Sequence, residues 1–272
     1  MKKQLLGLLL LAFFLPIQSQ HGLGAIDIPA TSILTDDQIN CLLNNIGDDD
    51  EVIAQVYTKD GEFNENGIQN LIHANDDDGQ WPAAYVTPCR NANNTCKNGL
   101  MSGADQAMTV INRLNQENMV VFMFLEIKKG NNWPADQLGN RDFILNFTNT
   151  VKDAFTKGIF TGGVGIYTSY NDWAQVVGGN WTGASDMDLW WVKWNGKQDL
   201  YTDFTPFGGW TAPCFHQYAG NVINNNCANG VPVNYDYYDE CDCQDEVCFK
   251  EFKKRQAQKK VDKLQHKYDR RH

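Results

Sequence analysis

Residues 119–129 read MVVFMFLEIKK, an apolar run that closes on a carboxylate and an ammonium two positions apart, Glu126 and Lys128. Side chains alternate along a strand, so a buried strand here brings both groups out on one face at its end. Charged groups seldom enter a core without a partner or a task. Two carboxylates at such a place would suit glycoside hydrolysis, one donating a proton and the other acting as base or nucleophile. A carboxylate beside a lysine is different chemistry. A lysine ordinarily titrates at about pH 10 and holds its proton too tightly to serve as a general acid near neutrality. Its attraction should also draw the Glu126 pKa down, making that residue a poorer acid.

The elements that would position this pair follow an alternating pattern. Strand-like runs AIDI (25–28), VIAQVYT (52–58), AAYVTP (83–88), VVFMFLEI (120–127), GGVGIYTS (162–169), LWWVKW (189–194) and FHQYAG (215–220) are separated, as far as residue 178, by helix-compatible segments. That alternation predicts an α/β fold, a parallel sheet with crossover helices, and seven or eight strands predict a single closed or nearly closed TIM-like (β/α) barrel. In such a barrel chemistry gathers at the carboxyl ends of the strands. The polar residues there are Asp27, Tyr57, Tyr85, Glu126, Lys128, Tyr167, Gln217 and Asn234 or Asp236. With Trp190, Trp191, Trp194 and Trp210 they describe an aromatic-lined cleft with acids at its floor. Aromatic faces suit the C–H faces of sugar rings, while each tryptophan alone could equally be core. His216, inside an apolar strand, reads as a structural histidine. No arrangement of His, Cys or Ser suggests nucleophilic catalysis, and GGVG (162–165) lacks the Lys-Ser/Thr ending of a phosphate loop. Neither a metal nor a cofactor is expected.

Composition sets the setting. Met1-Lys2-Lys3, the apolar LLGLLLLAFFL (5–15) and the polar IQSQ form a secretory signal peptide, assigned to residues 1–20. No later segment is long and apolar enough to span a bilayer, so the mature chain should be secreted or held in the lumen of secretory or lysosome-like vesicles. The eight cysteines then read as disulfide material, with Cys89–Cys96 the first expected pair and Cys214–Cys227 the second. Sequons at Asn93, Asn146 and Asn180 fit a glycoprotein. Of the formal net charge of −10, residues 249–272 hold ten Lys/Arg against three Asp/Glu, or +7, which leaves −17 on the remainder. An acidic body argues against nucleic acid as a partner. The barrel domain is expected over residues 21–238, with 239–272 a cysteine-rich, basic, helix-compatible extension able to meet anionic bacterial surfaces.

IDIP (26–29), GIYTSYNDW (165–173), LWWVKWNG (189–196), FGGW (207–210), APCFHQYAG (212–220) and VPVNYDYY (231–238) together resemble the nematode branch of the glycoside hydrolase family 25 lysozymes. The resemblance covers residues 25–238 and implies a β/α barrel acting on the β-1,4 link of bacterial peptidoglycan, in innate defence, as an antimicrobial, or in digestion. It places the family's first-strand acid at Asp27 and the first acid of its D-x-E pair at Glu126. Lys128 stands where the family has its catalytic Glu, and Asn234 where it has a late Asp, with Asp236 two residues on. It therefore implies Asp27, Glu126, Lys128, Asn234 and Asp236 as the catalytic set and Tyr57, Tyr85, Tyr167, Trp190 and Gln217 as substrate-binding. Two outcomes follow: a muramidase, or a catalytically impaired relative that binds peptidoglycan or other glycans without cleaving them.

Overall fold

The computed structural model describes residues 23–46, 51–76, 81–91, 93, 95–119, 121–239 and 261; the expected signal peptide and almost all of the basic extension lie outside them. Eight strands close into a barrel in sequence order: β1 (Leu23–Ile28), β2 (Glu51–Tyr57), β3 (Trp81–Val86), β4 (Phe122–Ile127), β5 (Val164–Thr168), β6 (Asp188–Val192), β7 (Phe215–Ile223) and β8 (Pro232–Tyr238). Helices α1 (Asp36–Leu43), α2 (Glu65–Asp76), α3 (Gly103–Gln116), α4 (Gln137–Thr156) and α5 (Tyr170–Val176) follow the first five strands.

Each α/β unit is punctuated by local chemistry. Thr35 and Gln38 form a reciprocal capping box at the start of α1, satisfying amides that have no partner within the helix. Ser102 accepts from the Asp105 amide at 3.0 Å at the start of α3, and Ser169 does the same for Asp172 on α5. Along α4, Phe143, Ile144, Phe147, Val151 and Ala154 are buried at helical spacing and face the barrel wall. Gly67 in α2 permits the helix to sit directly on β2, since a Cβ there would lie 1.8 Å from the Gln55 carbonyl oxygen.

The alternation of side chains splits the apolar residues into two clusters. An outer one, with Ile26, Val52, Leu125, Ile166 and Leu189, lies between strands and helices. An inner one fills the barrel with Ala25, Ile53, Ala83, Phe122, Phe124, Trp190 and Phe215. The interior is therefore packed, with Asp27 and Glu126 toward its carboxyl end and Glu51 and Asp188 buried at the starts of β2 and β6.

The expected all-parallel sheet fails at the end. Strand β8 runs antiparallel to both β7 and β1. The chain between β7 and β8 is a short loop, and a parallel return needs a longer crossover. As a result the carboxyl-end rim is met by the start of β8, which brings Asn234 opposite Asp27. The disulfide Cys89–Cys96 forms as expected. The pairing Cys214–Cys227 does not: Cys227 joins Cys41, tying α1 to the β7–β8 connection across 186 residues of sequence, while Cys214 is disulfide-bonded elsewhere. Among the described residues no helix is long and apolar enough to cross a membrane.

Candidate active site

Asp27, at the end of β1, is buried inside the barrel mouth. Its Oδ2 accepts from Gln217 Nε2 at 3.0 Å and from Asn234 Nδ2 at 2.8 Å. Its Oδ1 is buried and has no hydrogen-bond partner among the described residues. Asn234 is not free to choose its orientation. Its Oδ1 accepts from the Asn221 amide at 3.0 Å, which turns the Nδ2 toward Asp27. An aspartate at 234 could accept the same amide but would set a second negative charge on Asp27. Burial pushes the Asp27 carboxyl up to about 7, with the Glu126 charge acting in the same direction, against the two amide donors and the Lys128 cation.

Glu126, near the end of β4, is also buried. Its Oε2 receives the Thr87 hydroxyl and, at 2.8 Å, Asn131 Nδ2 from the turn after β4. Thr87 is held in turn by Gln55 Nε2 at 2.6 Å. Burial raises the Glu126 pKa despite these donors and Lys128. The expected net lowering by Lys128 is thus overturned, because desolvation outweighs the cation. Lys128 itself is past the strand, exposed at the rim, where its backbone starts a 3₁₀ turn over Lys129–Asn131. Among the described residues it makes no ion pair. The sequence pair is therefore split between wall and solvent.

Asp236 shares the inward face of β8 with Asn234 but lies one layer deeper, level with Ala25. It is completely buried and accepts from Trp190 Nε1 at 2.7 Å. Burial and the Asp27 charge hold its carboxyl well above the usual range. Both candidates on β8 thus point inward, and Asn234 is the one at the mouth. Tyr85 and Tyr167 form the floor, with ring centroids 6.1 Å apart and both packed on Trp190.

Three residues expected to touch a ligand stand elsewhere. Tyr57 is turned out of the barrel by a β-bulge between Gln55 and Tyr57; it packs edge-on against Phe63 and its hydroxyl takes Asn98 Nδ2 at 2.6 Å. Gln55 occupies the inward position that strict alternation from Ile53 would give. Trp190 and Gln217 are fully buried and support carboxylates from behind the surface a ligand would meet. His216 is structural as expected, stacked on Trp191 with its ring nitrogens on the Asp199 and Lys193 carbonyls. The residues missed in the sequence, Gln55, Thr87 and Asn131, are small or neutral and carry no motif. Thr87, directly after β3, was the one that strand-end logic could have found.

Beside the mouth, at the ends of β5 and β6, an open groove of about 470 Å³ is lined by Ser169, Tyr170, Asn171, Lys193 and Asp203 among others. The closed eight-stranded barrel thus holds buried carboxyls at its mouth with an open groove alongside.

The family model for lysozyme-like protein 1 matches residues 20–218, and the chain belongs to this lysozyme-like family. Lysozyme-like protein 5 of Caenorhabditis elegans is 30% identical over 190 residues, covering 68% of this chain and 79% of the relative. A probable glycoside hydrolase family 25 lysozyme of Dictyostelium discoideum is 28% identical over 84% of this chain and 97% of its own length. The fold is shared with a family 25 lysozyme from Aspergillus fumigatus at a TM-score of 0.57 and 14% identity, covering 80% of this chain and 94% of that one. The lysozyme from Streptomyces coelicolor superposes at 0.54.

Proposed function

We propose that this chain is a secreted, peptidoglycan-recognising member of the lysozyme-like family in which glycoside cleavage is severely weakened, acting in defence against or digestion of bacteria. The observation that carries the reading is Lys128, exposed at the mouth where the resemblance puts the proton-donating Glu. A protonated lysine donates poorly at neutral pH, and general acid catalysis ordinarily contributes about 10²- to 10⁴-fold. The neighbouring acid does not replace it simply, because Glu126 Oε2 is engaged by Thr87 and Asn131. What the mouth keeps is suited to holding a glycan: tyrosine faces, amides and an exposed cation, Lys128, able to meet a muramyl carboxylate.

A second reading, a slow muramidase, has its own support. Asp27 is held at about 7, so a carboxyl able to carry a proton near neutrality remains at the mouth, and burial raises Glu126 in the same direction. The two readings are separated by measuring reducing-end release from purified peptidoglycan alongside sedimentation with the same polymer. Retention on the polymer without release supports the first; release that disappears in Glu126→Gln supports the second; absence of both overturns the glycan assignment. The basic extension supplies a further attachment to anionic envelopes, and truncation after Cys248 should weaken retention at low salt. Unchanged retention there would remove the extension from the reading.

A further inference from the structure

The buried amide that holds Asp27 also leads to the protein surface. Gln217 donates to Asp27 through Nε2 at 3.0 Å. Its Oε1 accepts twice, from the Tyr167 hydroxyl at 3.1 Å and from Trp194 Nε1 at 2.9 Å. These two donors decide which end of the amide faces the carboxylate, because an Oε1 already filled by N–H and O–H groups cannot turn toward Asp27. Trp194 differs from the other members of the chain: it is 54% exposed. A large aromatic surface left in solvent and wired by its polar edge to a buried acid has no packing role that explains both properties.

The backbone is shaped to keep the indole there. Gly220 on β7 lies under it, and a Cβ at that position would be 2.1 Å from the indole ring. Any side chain at 220 therefore pushes Trp194 off its seat and away from Gln217. On the same hairpin, Tyr218 and Tyr235 are stacked at a 20° interplanar angle with centroids 6.4 Å apart. An exposed indole with an anchored N–H is suited to the C–H face of a pyranose ring.

We propose that Trp194 is a sugar-contact residue that also positions Asp27 through Gln217, so that a ring seated on the indole secures the hydrogen bonds on that carboxylate. The ligand class is a neutral pyranose of the glycan whose neighbouring residue enters the mouth, and this part rests on the glycan-binding reading above. The wire itself does not. The other ionisable groups facing Asp27 are Tyr85 from β3, Glu126 and Lys128 from β4 and its end, Tyr167 from β5 and Asp236 from β8; none is replaced by a change at 194 or 220, and Tyr167 alone shares an acceptor, Gln217 Oε1, with Trp194.

Three variants separate the roles. Trp194→Phe keeps an aromatic face and removes the donor, Trp194→Ala removes both, and Gly220→Ala displaces the indole without replacing any side chain of the wire. Asp27 is followed by carboxyl carbon NMR across pH, assigned by its loss in Asp27→Asn, and binding of a soluble muramyl oligosaccharide is followed by calorimetry. Loss of the Trp194 donor loosens the amide and favours the neutral carboxyl, so the Asp27 midpoint should rise by about 0.5 pH unit in Trp194→Phe and Gly220→Ala, the scale of one neutral hydrogen bond. Binding should fall about tenfold or more in Trp194→Ala, as for a buried aromatic anchor, and within about threefold in Trp194→Phe. An unchanged midpoint in both Trp194→Phe and Gly220→Ala overturns the wire. Wild-type-like binding by Trp194→Ala overturns the contact while the glycan reading stands, whereas no binding by the unaltered protein overturns the contact together with that reading and leaves the midpoint test decisive for the wire.

Discussion

Replacing Asp27 with asparagine should flatten the dependence of stability on pH. The ordinary aspartate value is 3.8, and Asp27 in the folded chain is held at about 7. Between these values the unfolded chain has released its proton and the folded chain retains it, so stability conferred by the neutral carboxyl is complete below pH 3.8 and is lost as pH rises through about 7. A separation of about three pH units at 1.36 kcal/mol per unit amounts to roughly 4 kcal/mol, an upper value because water entry and relaxation soften such burial penalties. The amide side chain of the Asp27→Asn variant is isosteric with the carboxyl and can offer its oxygen to the Gln217 and Asn234 donors that now serve Oδ2. It carries no titration. Removing the Asp27 charge also relieves Asp236, whose carboxyl it raises, so the two effects act in the same direction. Urea unfolding of both proteins with disulfides intact, at pH 4.5, 6 and 8, should show the wild type losing several kcal/mol more than Asp27→Asn across this range. Equal losses in the two proteins would refute the reasoning, since they would mean that Asp27 ionises in the fold as it does in the open chain.

Other changes have equally definite outcomes. Thr87→Val removes the hydroxyl that serves Glu126 and leaves Gln55 Nε2 without its acceptor. It should destabilise by about 1–3 kcal/mol at neutral pH and push the Glu126 pKa further up, so that this penalty shrinks in acid; a pH-independent penalty would contradict the assignment. Asn234→Asp exchanges a donor on Asp27 for a charge, and its Asp27 midpoint in carboxyl NMR should move upward rather than down. Cys41→Ser/Cys227→Ser opens a loop spanning 186 residues and should lower stability by about 2–5 kcal/mol, read by thermal or denaturant melts, whereas the seven-residue Cys89–Cys96 loop should contribute less.

Much of the barrel could be read from local pattern, because each of the first five strand–helix units announces itself by apolar periodicity and a Ser, Thr, Asp or Asn before the helix. The last strands could not be read this way. Nothing in PVNYDYY states that β8 runs antiparallel, and that direction is what brings Asn234 level with Asp27 and sets Asp236 a layer deeper. Strict alternation misplaces Tyr57, because a single bulge after Gln55 breaks the period. The acids Asp27, Glu126 and Asp236 were visible as charges at strand ends. Their settings were not, because burial depends on closure of the whole barrel and the neutral residues that hold them come from other strands and turns. For Glu126 this reversed the expected direction of the pKa, since desolvation by the closed barrel exceeds the effect of a lysine that stands in solvent.

Lys128 is the point on which the functional reading turns, and restoring a carboxylate there tests it most directly. Reducing-end release from purified peptidoglycan should be measured for the wild type, Lys128→Glu and Lys128→Glu/Glu126→Gln, each checked for retention on the polymer. Retention by all three, with hydrolysis rising by about 100-fold or more in Lys128→Glu and vanishing again in the double variant, is the predicted result. Vigorous hydrolysis by the wild type that Lys128→Glu does not increase would contradict it.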